Sequence, residues 1–153
     1  MKIFSFSYLA LFLLLSCSNY STNKIKTVPP TLVSITASNG GYILKIRANN
    51  PEVFFLGYRL YMGTTESEAR NPADLSSGAN CVNGLRTIPN QPIEYSMEIN
   101  SDPNINSGTM CKFQVNVQSG QYISIRGLLL SINLSNASDS VSPSQPSNAI
   151  IVP

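Results

Sequence analysis

In segment after segment of this chain, apolar and polar residues alternate one by one, and Gly, Asn, Ser and Pro separate the segments. A period of two puts one face of a strand on a core and the other in water. No stretch carries a convincing apolar repeat at helical spacing. In Tyr42-Ile-Leu-Lys-Ile-Arg-Ala48, Leu44, Ile46 and Ala48 share one face while Ile43, Lys45 and Arg47 share the other. Thr31 to Ala37 alternates as well, and Ser38-Asn-Gly-Gly41 between the two segments supplies residues that tolerate positive φ. That is a strand, turn, strand signature.

Asn49-Asn-Pro51 ends the second segment, and the run from Phe54 to Met62 places Leu56, Tyr58, Leu60 and Met62 on one face opposite Gly57, Arg59 and Tyr61. From Glu66 to Asn90 the chain is small, polar and rich in Gly and Pro, so it predicts a long excursion. This excursion holds a helical turn near Glu66 to Arg70 and a short strand around Leu85 to Ile88. Alternation returns at Ile93, Tyr95, Met97 and Ile99, and again at Phe113, Val115 and Val117. Tyr122 to Leu134 changes phase, with Ile123 and Ile125 on one parity and Leu128, Leu130, Ile132 and Leu134 on the other. Gly127 sits at the switch, where a bulge or bend would bring both sets to the same face. Asn148 to Val152 reads as a last strand. Seven or eight strands in about 120 residues predict an all-β sandwich over residues 31–153.

The N-terminus carries an address. Met1-Lys2 is followed by thirteen largely apolar residues, Ile3 to Leu15, and then Ser16-Cys17. This is a signal-peptide pattern, too short for a comfortable permanent span, which needs about 20 apolar residues. Leu14-Leu15-Ser16-Cys17 resembles the bacterial lipobox, with Ser before the cysteine as in spirochaete lipoproteins. The resemblance implies that residues 1–16 are removed and that Cys17 becomes the lipidated first residue of an envelope lipoprotein. Several acyl chains anchor stably where one does not. An ordinary secretory peptide with a coincidental cysteine is the competing reading. Ser18 stands where Asp would favour inner-membrane retention, so by analogy the outer membrane is the expected location, with orientation open. Residues 17–30, closing on Pro29-Pro30, read as a lipidated tether of about 20 Å root-mean-square span.

With Cys17 assigned to lipid, Cys81 and Cys111 remain as one even pair in an exported chain. A disulfide is the default expectation there, with two unlinked buried thiols the alternative. Two cysteines without His or a second pair do not suit a metal, and no metal, cofactor or nucleophile is expected. The chain has no His, which removes Ser-His-Asp and Cys-His pairs, imidazole ligation and a switch near neutral pH. Its net charge of +2 comes from ten Lys plus Arg against eight Asp plus Glu, without runs of one sign. A nucleic-acid partner is therefore not expected. Ser (22) and Asn (16) fill about a quarter of the chain, so its polar surface is mostly neutral hydroxyl and amide.

Pro30, Leu44-x-Ile46-x-Ala48-x-x-Pro51, Gly57-Tyr-Arg-Leu-Tyr61, Ser119-Gly-x-Tyr122 and Val141-Ser-Pro-Ser144 together resemble the fibronectin type III pattern over Pro30 to Pro153. The resemblance implies an immunoglobulin-like sandwich. Three departures stand out: Ala48 in place of the buried Trp, a tyrosine out of phase with Ile123 and Ile125, and an insertion around Cys81.

Three groups of residues invite a site. Glu94 and Glu98 share a strand face about 13 Å apart, beyond the roughly 5–9.5 Å of a glycosidase pair, and read as a solvated face. Asp102-Pro-Asn-Ile-Asn-Ser-Gly108 resembles the opening of a calcium loop but lacks the Gly after the third ligand and the bidentate Glu; it reads as a plain loop or a weak calcium site. Lys45, Arg47, Arg59 and Tyr61 would lie on the outer faces of consecutive strands as a possible binding face, or as ordinary solvent-facing residues. Two Asn-x-Ser sequons, at Asn133 and Asn136, carry little weight in a bacterial chain.

The sequence thus predicts a non-enzymatic, membrane-anchored envelope lipoprotein that displays a β-sandwich for binding or adhesion to an unknown protein or glycan. The alternative is an inward-facing structural subunit of an envelope complex.

Overall fold

The structure is a computed structural model of the chain and describes residues 28–49, 55–81, 94–133 and 138–153. Nine strands and one short helix occur among them: β1 (Thr31–Ser38), β2 (Gly41–Arg47), β3 (Phe55–Gly63), α1 (Glu66–Arg70), β4 (Ala79–Asn80), β5 (Glu94–Ile99), β6 (Cys111–Phe113), β7 (Tyr122–Asn133), β8 (Ser138–Pro143) and β9 (Ile150–Ile151). They form two sheets, one ordered β1-β2-β5-β6 and the other β4-β3-β7-β8, with β9 also paired to β7. The fold is an all-β sandwich, as the alternation predicts. The expected leader, the tether up to residue 27 and the expected short strand at Leu85–Ile88 lie outside the described residues.

Inward-facing residues of both sheets make one core: Leu44, Ile46, Met97, Ile99 and Phe113 from the first sheet meet Phe55, Tyr58, Leu60, Ile123 and Ile125 from the second. Each fully buried large apolar side chain contributes about 1.5–3 kcal/mol by leaving water. Two buried tyrosines bring polar tips into this core and satisfy each other, the Tyr95 hydroxyl donating to Tyr58 Oη at 2.6 Å. Burial pushes the Tyr95 phenol well above its ordinary range. Ala48, standing where the resemblance would place a Trp, is buried in the same core.

Two parity expectations fail for one reason. Leu56 does not share the inward face of Tyr58 and Leu60 but is 42% exposed, because the β3–β7 register shifts between Phe55 and Gly57. The bulge lets Phe55 enter the core in its place. Conversely, β7 runs through Gly127 without interruption, pairing Gly127 with Tyr58 and Leu128 with Gly57. No bulge at Gly127 moves the later leucines inward: Leu129 packs on the core after Ile123 and Ile125, while Leu128 stays on the Ser124 and Arg126 face.

Cys81 and Cys111 form a disulfide with Cα atoms 5.4 Å apart, tying the edge beside β3 to β6 in the opposite sheet. A loop of that span contributes about 3.5 kcal/mol in the chain-entropy picture. The break between β8 and β9 is also held. Ser147 Oγ accepts from the Ile125 amide and Ser144 Oγ from the Gly127 amide, both at 3.0 Å, so two hydroxyls replace missing ladder carbonyls. Asn148 does the same for β1: its amide receives the Leu32 N–H at 2.8 Å and donates to the Leu32 carbonyl at 3.0 Å.

Candidate functional site

The four residues of the expected binding face are not brought together. Lys45 and Arg47 stand on β2 in the first sheet and Arg59 and Tyr61 on β3 in the second, so consecutive strands lie in different sheets and their outer faces point away from each other. On the first sheet Glu94 is the register partner of Arg47. Its carboxylate pairs with Arg47 at 2.5 Å and Lys45 at 3.3 Å. The Arg47 guanidinium, then Lys45, hold the Glu94 carboxyl below its ordinary range.

On the second sheet the cations and hydroxyls hold the excursion that follows β3. Thr65 caps α1, accepting from the Glu68 amide at 3.2 Å, and Glu68 in turn receives the Thr64 amide and hydroxyl. These bonds hold the exposed Glu68 carboxyl below its usual range. Ala69 is wholly buried against the sheet. The carbonyls at the end of α1 then meet donors from β7: Ser124 Oγ donates to Ala69 O at 2.5 Å and Arg126 to Arg70 O at 2.6 Å, with a second Arg126 bond to Ser144 O at 2.7 Å. Further along, Arg59 and the Tyr61 hydroxyl both donate to Leu75 O at 2.7 Å. Arg59 also holds the Asn80 side chain, and Arg126 stacks over the Tyr61 ring at 5.9 Å. Burial raises the Tyr61 phenol. The Arg59 and Tyr61 half of the expected face is therefore engaged in holding the protein's own chain. Beside it Leu56, Leu128 and Val141 line a cleft of about 260 Å³ with Arg59 and Asn80 at one side.

Glu98 does not lie on a solvated face with Glu94. It is 2% exposed, because the loop after β5 folds back over it: the Ser107 amide donates to Glu98 Oε2 at 2.9 Å. Its register partner on β6 is Lys112, whose ammonium donates to the carbonyls of Asp102 and Ile105. The Asp102 to Gly108 loop is thus built around a lysine. Its side-chain oxygens also turn inward on the loop, Asp102 Oδ1 receiving the Asn104 amide and Asn106 Oδ1 the Gly108 amide. Among the described residues no three Cys, Asp or Glu side chains converge as a metal cluster.

One surface is different in kind. The β1–β2 hairpin turns on Asn39 (φ 42°) and Gly40 (φ 78°), a two-residue turn of the sort Asn-Gly favours. It is pressed against the end of β5. A Cβ on Gly41 would lie 2.2 Å from Ile99 O, so only glycine permits the approach, and Asn100 Nδ2 donates to Asn39 O at 3.3 Å. Between this turn and the segment after β6 lies an open cleft of about 540 Å³ lined by Ser38, Asn39, Gly40, Tyr42, Asn116 and Val117, among others. Tyr42 and Val117 bring the rim of the core to it. Among the described residues no charged side chain lines it. Since Thr31 pairs with Arg47 and Ser38 with Gly41, the cleft lies at the opposite end of the hairpin from the start of the domain, about 23 Å away at 3.3 Å per residue. Sequence reasoning passed over this cleft because its walls are far apart in the chain; the only local signal was Asn and Tyr, without charge, beside a turn.

No family model, curated protein or solved structure matches the chain.

Proposed function

We propose that the chain is a membrane-anchored, weakly charged cell-envelope lipoprotein whose fibronectin type III-like sandwich serves binding and not catalysis. The anchor reading is carried by Leu14-Leu15-Ser16-Cys17 at the end of a thirteen-residue apolar stretch. The strand division supports the immunoglobulin-like part: β1, β2 and β5 in one sheet against β3, β7 and β8 in the other matches the separation of A, B and E strands from C, F and G. The observation that favours a binding role is the hairpin cleft, a preorganised, uncharged concavity at the end of the domain away from its N-terminal connection.

The anchor is tested by replacing the lipid-bearing residue. Full-length protein expressed with an alkyne-bearing fatty acid should incorporate label and sediment with membranes, whereas Cys17→Ala should carry no label and appear in the soluble fraction. Labelling of Cys17→Ala would refute the assignment. Surface display and an inward-facing structural role both fit an anchored protein, and they differ in which compartment can reach the cleft. The apolar cleft at Leu56, Leu128 and Val141 favours the second reading, because exposed aliphatic side chains at 42% and 47% for Leu56 and Val141 suit contact with protein.

A further inference from the structure

Several neutral polar side chains of this protein hold its own fold. Asn80 holds Arg59, Asn100 holds the hairpin turn and Asp102, Asn106 holds Gly108, and Asn148 holds β1. The hydroxyls of Ser124, Ser144 and Ser147 are engaged as well. The polar side chains gathered at the hairpin cleft take no such part. Among the described residues, the side chains of Ser38, Asn39, Tyr42 and Asn116 make no hydrogen bond with the rest of the chain, and all four line one concavity. Two amides and two hydroxyls supply donors and acceptors in a site with no charged residue among its described lining, and Tyr42 and Val117 add apolar surface from the core rim.

From this arrangement we infer that the cleft is a binding site for a neutral glycan. A sugar ring presents hydroxyls that donate and accept, and C–H faces that lie on aromatic and aliphatic carbon. Amides and hydroxyls match the first, since each can both donate and accept, and the Tyr42 and Val117 surface matches the second. An anionic ligand would find no cation in the lining, and an apolar peptide would leave the amides desolvated without partners, which costs about 1–3 kcal/mol for each group. The turn is rigidly placed by Gly41 against Ile99 O and by Asn100 on Asn39 O, so little ordering accompanies binding. The cleft is open and shallow, and binding of single glycan chains is expected to be modest in affinity and insensitive to salt, because no ion pair forms.

This inference deepens the binding reading and rests on it. The test uses the full chain in detergent against an immobilised panel of neutral gluco-, galacto- and manno-configured oligosaccharides and their sulfated counterparts, followed by titration of any oligosaccharide retained. The expected result is retention of at least one neutral oligosaccharide, unchanged between about 50 mM and about 500 mM salt and weakened at least about tenfold, or about 1.4 kcal/mol, by Tyr42→Phe combined with Asn116→Ala. Urea unfolding of that variant controls for its fold, and Asn39→Asp, which keeps a residue tolerant of positive φ while placing a charge in the cleft, gives a second variant expected to weaken binding. Retention of sulfated oligosaccharides alone, or equal retention by wild type and both variants, would overturn the neutral-glycan site while leaving the binding role standing. An empty panel together with no co-purifying protein would overturn both.

Discussion

The outer face of the second sheet and the hairpin cleft are both rich in polar side chains, and they use them in opposite ways. On the sheet face Arg59, Tyr61, Ser124 and Arg126 all donate to backbone carbonyls, and four of these five bonds end on the excursion between β3 and β4 or its helix. In the cleft the side chains of Ser38, Asn39, Tyr42 and Asn116 make no hydrogen bond within the described residues. Buried carbonyls need partners, so polar groups that meet them are part of the fold. Groups that the fold leaves open are available to something else. The cationic and aromatic pattern of Arg59 and Tyr61 therefore serves the fold, and the uncharged residues around the turn are those we propose for binding.

The contrast makes graded predictions. The largest effect is expected on the sheet face: Arg126→Ala removes donors from Arg70 O and Ser144 O and should destabilise the protein by about 2–4 kcal/mol in urea unfolding. A loss below about 0.5 kcal/mol would erase the distinction between the two regions. Lys112→Met, which withdraws the ammonium from the Asp102 and Ile105 carbonyls, should cost about 1.5–3 kcal/mol and speed hydrogen exchange at the Ser107 amide. Protection of that amide at the wild-type level would mean the loop does not depend on the lysine. Ser147→Ala leaves the Ile125 amide without its acceptor and should lose about 1–2 kcal/mol, with thermal unfolding as the readout.

Smaller still is the exposed Glu94 cluster. The folded state lowers the Glu94 pKa, so its stabilisation is fully present above the ordinary glutamate value of about 4.3 and is lost as pH falls through the depressed value. The difference in melting temperature between wild type and Glu94→Gln should thus be small at neutral pH and vanish in acid; a difference that grows on acidification would contradict this sign. Smallest of all, Tyr42→Phe and Asn116→Ala should each change stability by less than about 0.5 kcal/mol, the usual range for side chains without a structural partner.

Much of the fold was legible in the chain. Period-two segments marked β2, β5 and the two ends of the hairpin, Asn39-Gly40 marked its turn, and Glu66 to Arg70 reads as the helical turn that forms. Strand parity was not legible where apolar residues run together: Phe54-Phe-Leu56 fits either face, and only the bulge opposite β7 decides that Phe55 enters the core. Which sheet a strand joins is not written in its alternation, and that is why Lys45 and Arg47 parted from Arg59 and Tyr61. Glu98 looks solvent-facing by parity, and it is on the outer face; the returning loop at Ser107 buries it. The cleft depends on Asn116 meeting a turn more than seventy residues earlier, a contact no local pattern carries.

We propose surface display of the anchored domain, with the inward-facing structural role as the alternative. Val152 is bonded to Gln121 near the start of β7, and Tyr122 pairs with Ile151, so the C-terminus lies at the same end of the sandwich as the hairpin. An epitope appended after Pro153 on the full chain therefore reports that end. Surface display predicts that antibody stains intact cells as strongly as cells whose outer membrane has been permeabilised. Staining only after permeabilisation would contradict it and leave the inward-facing structural role.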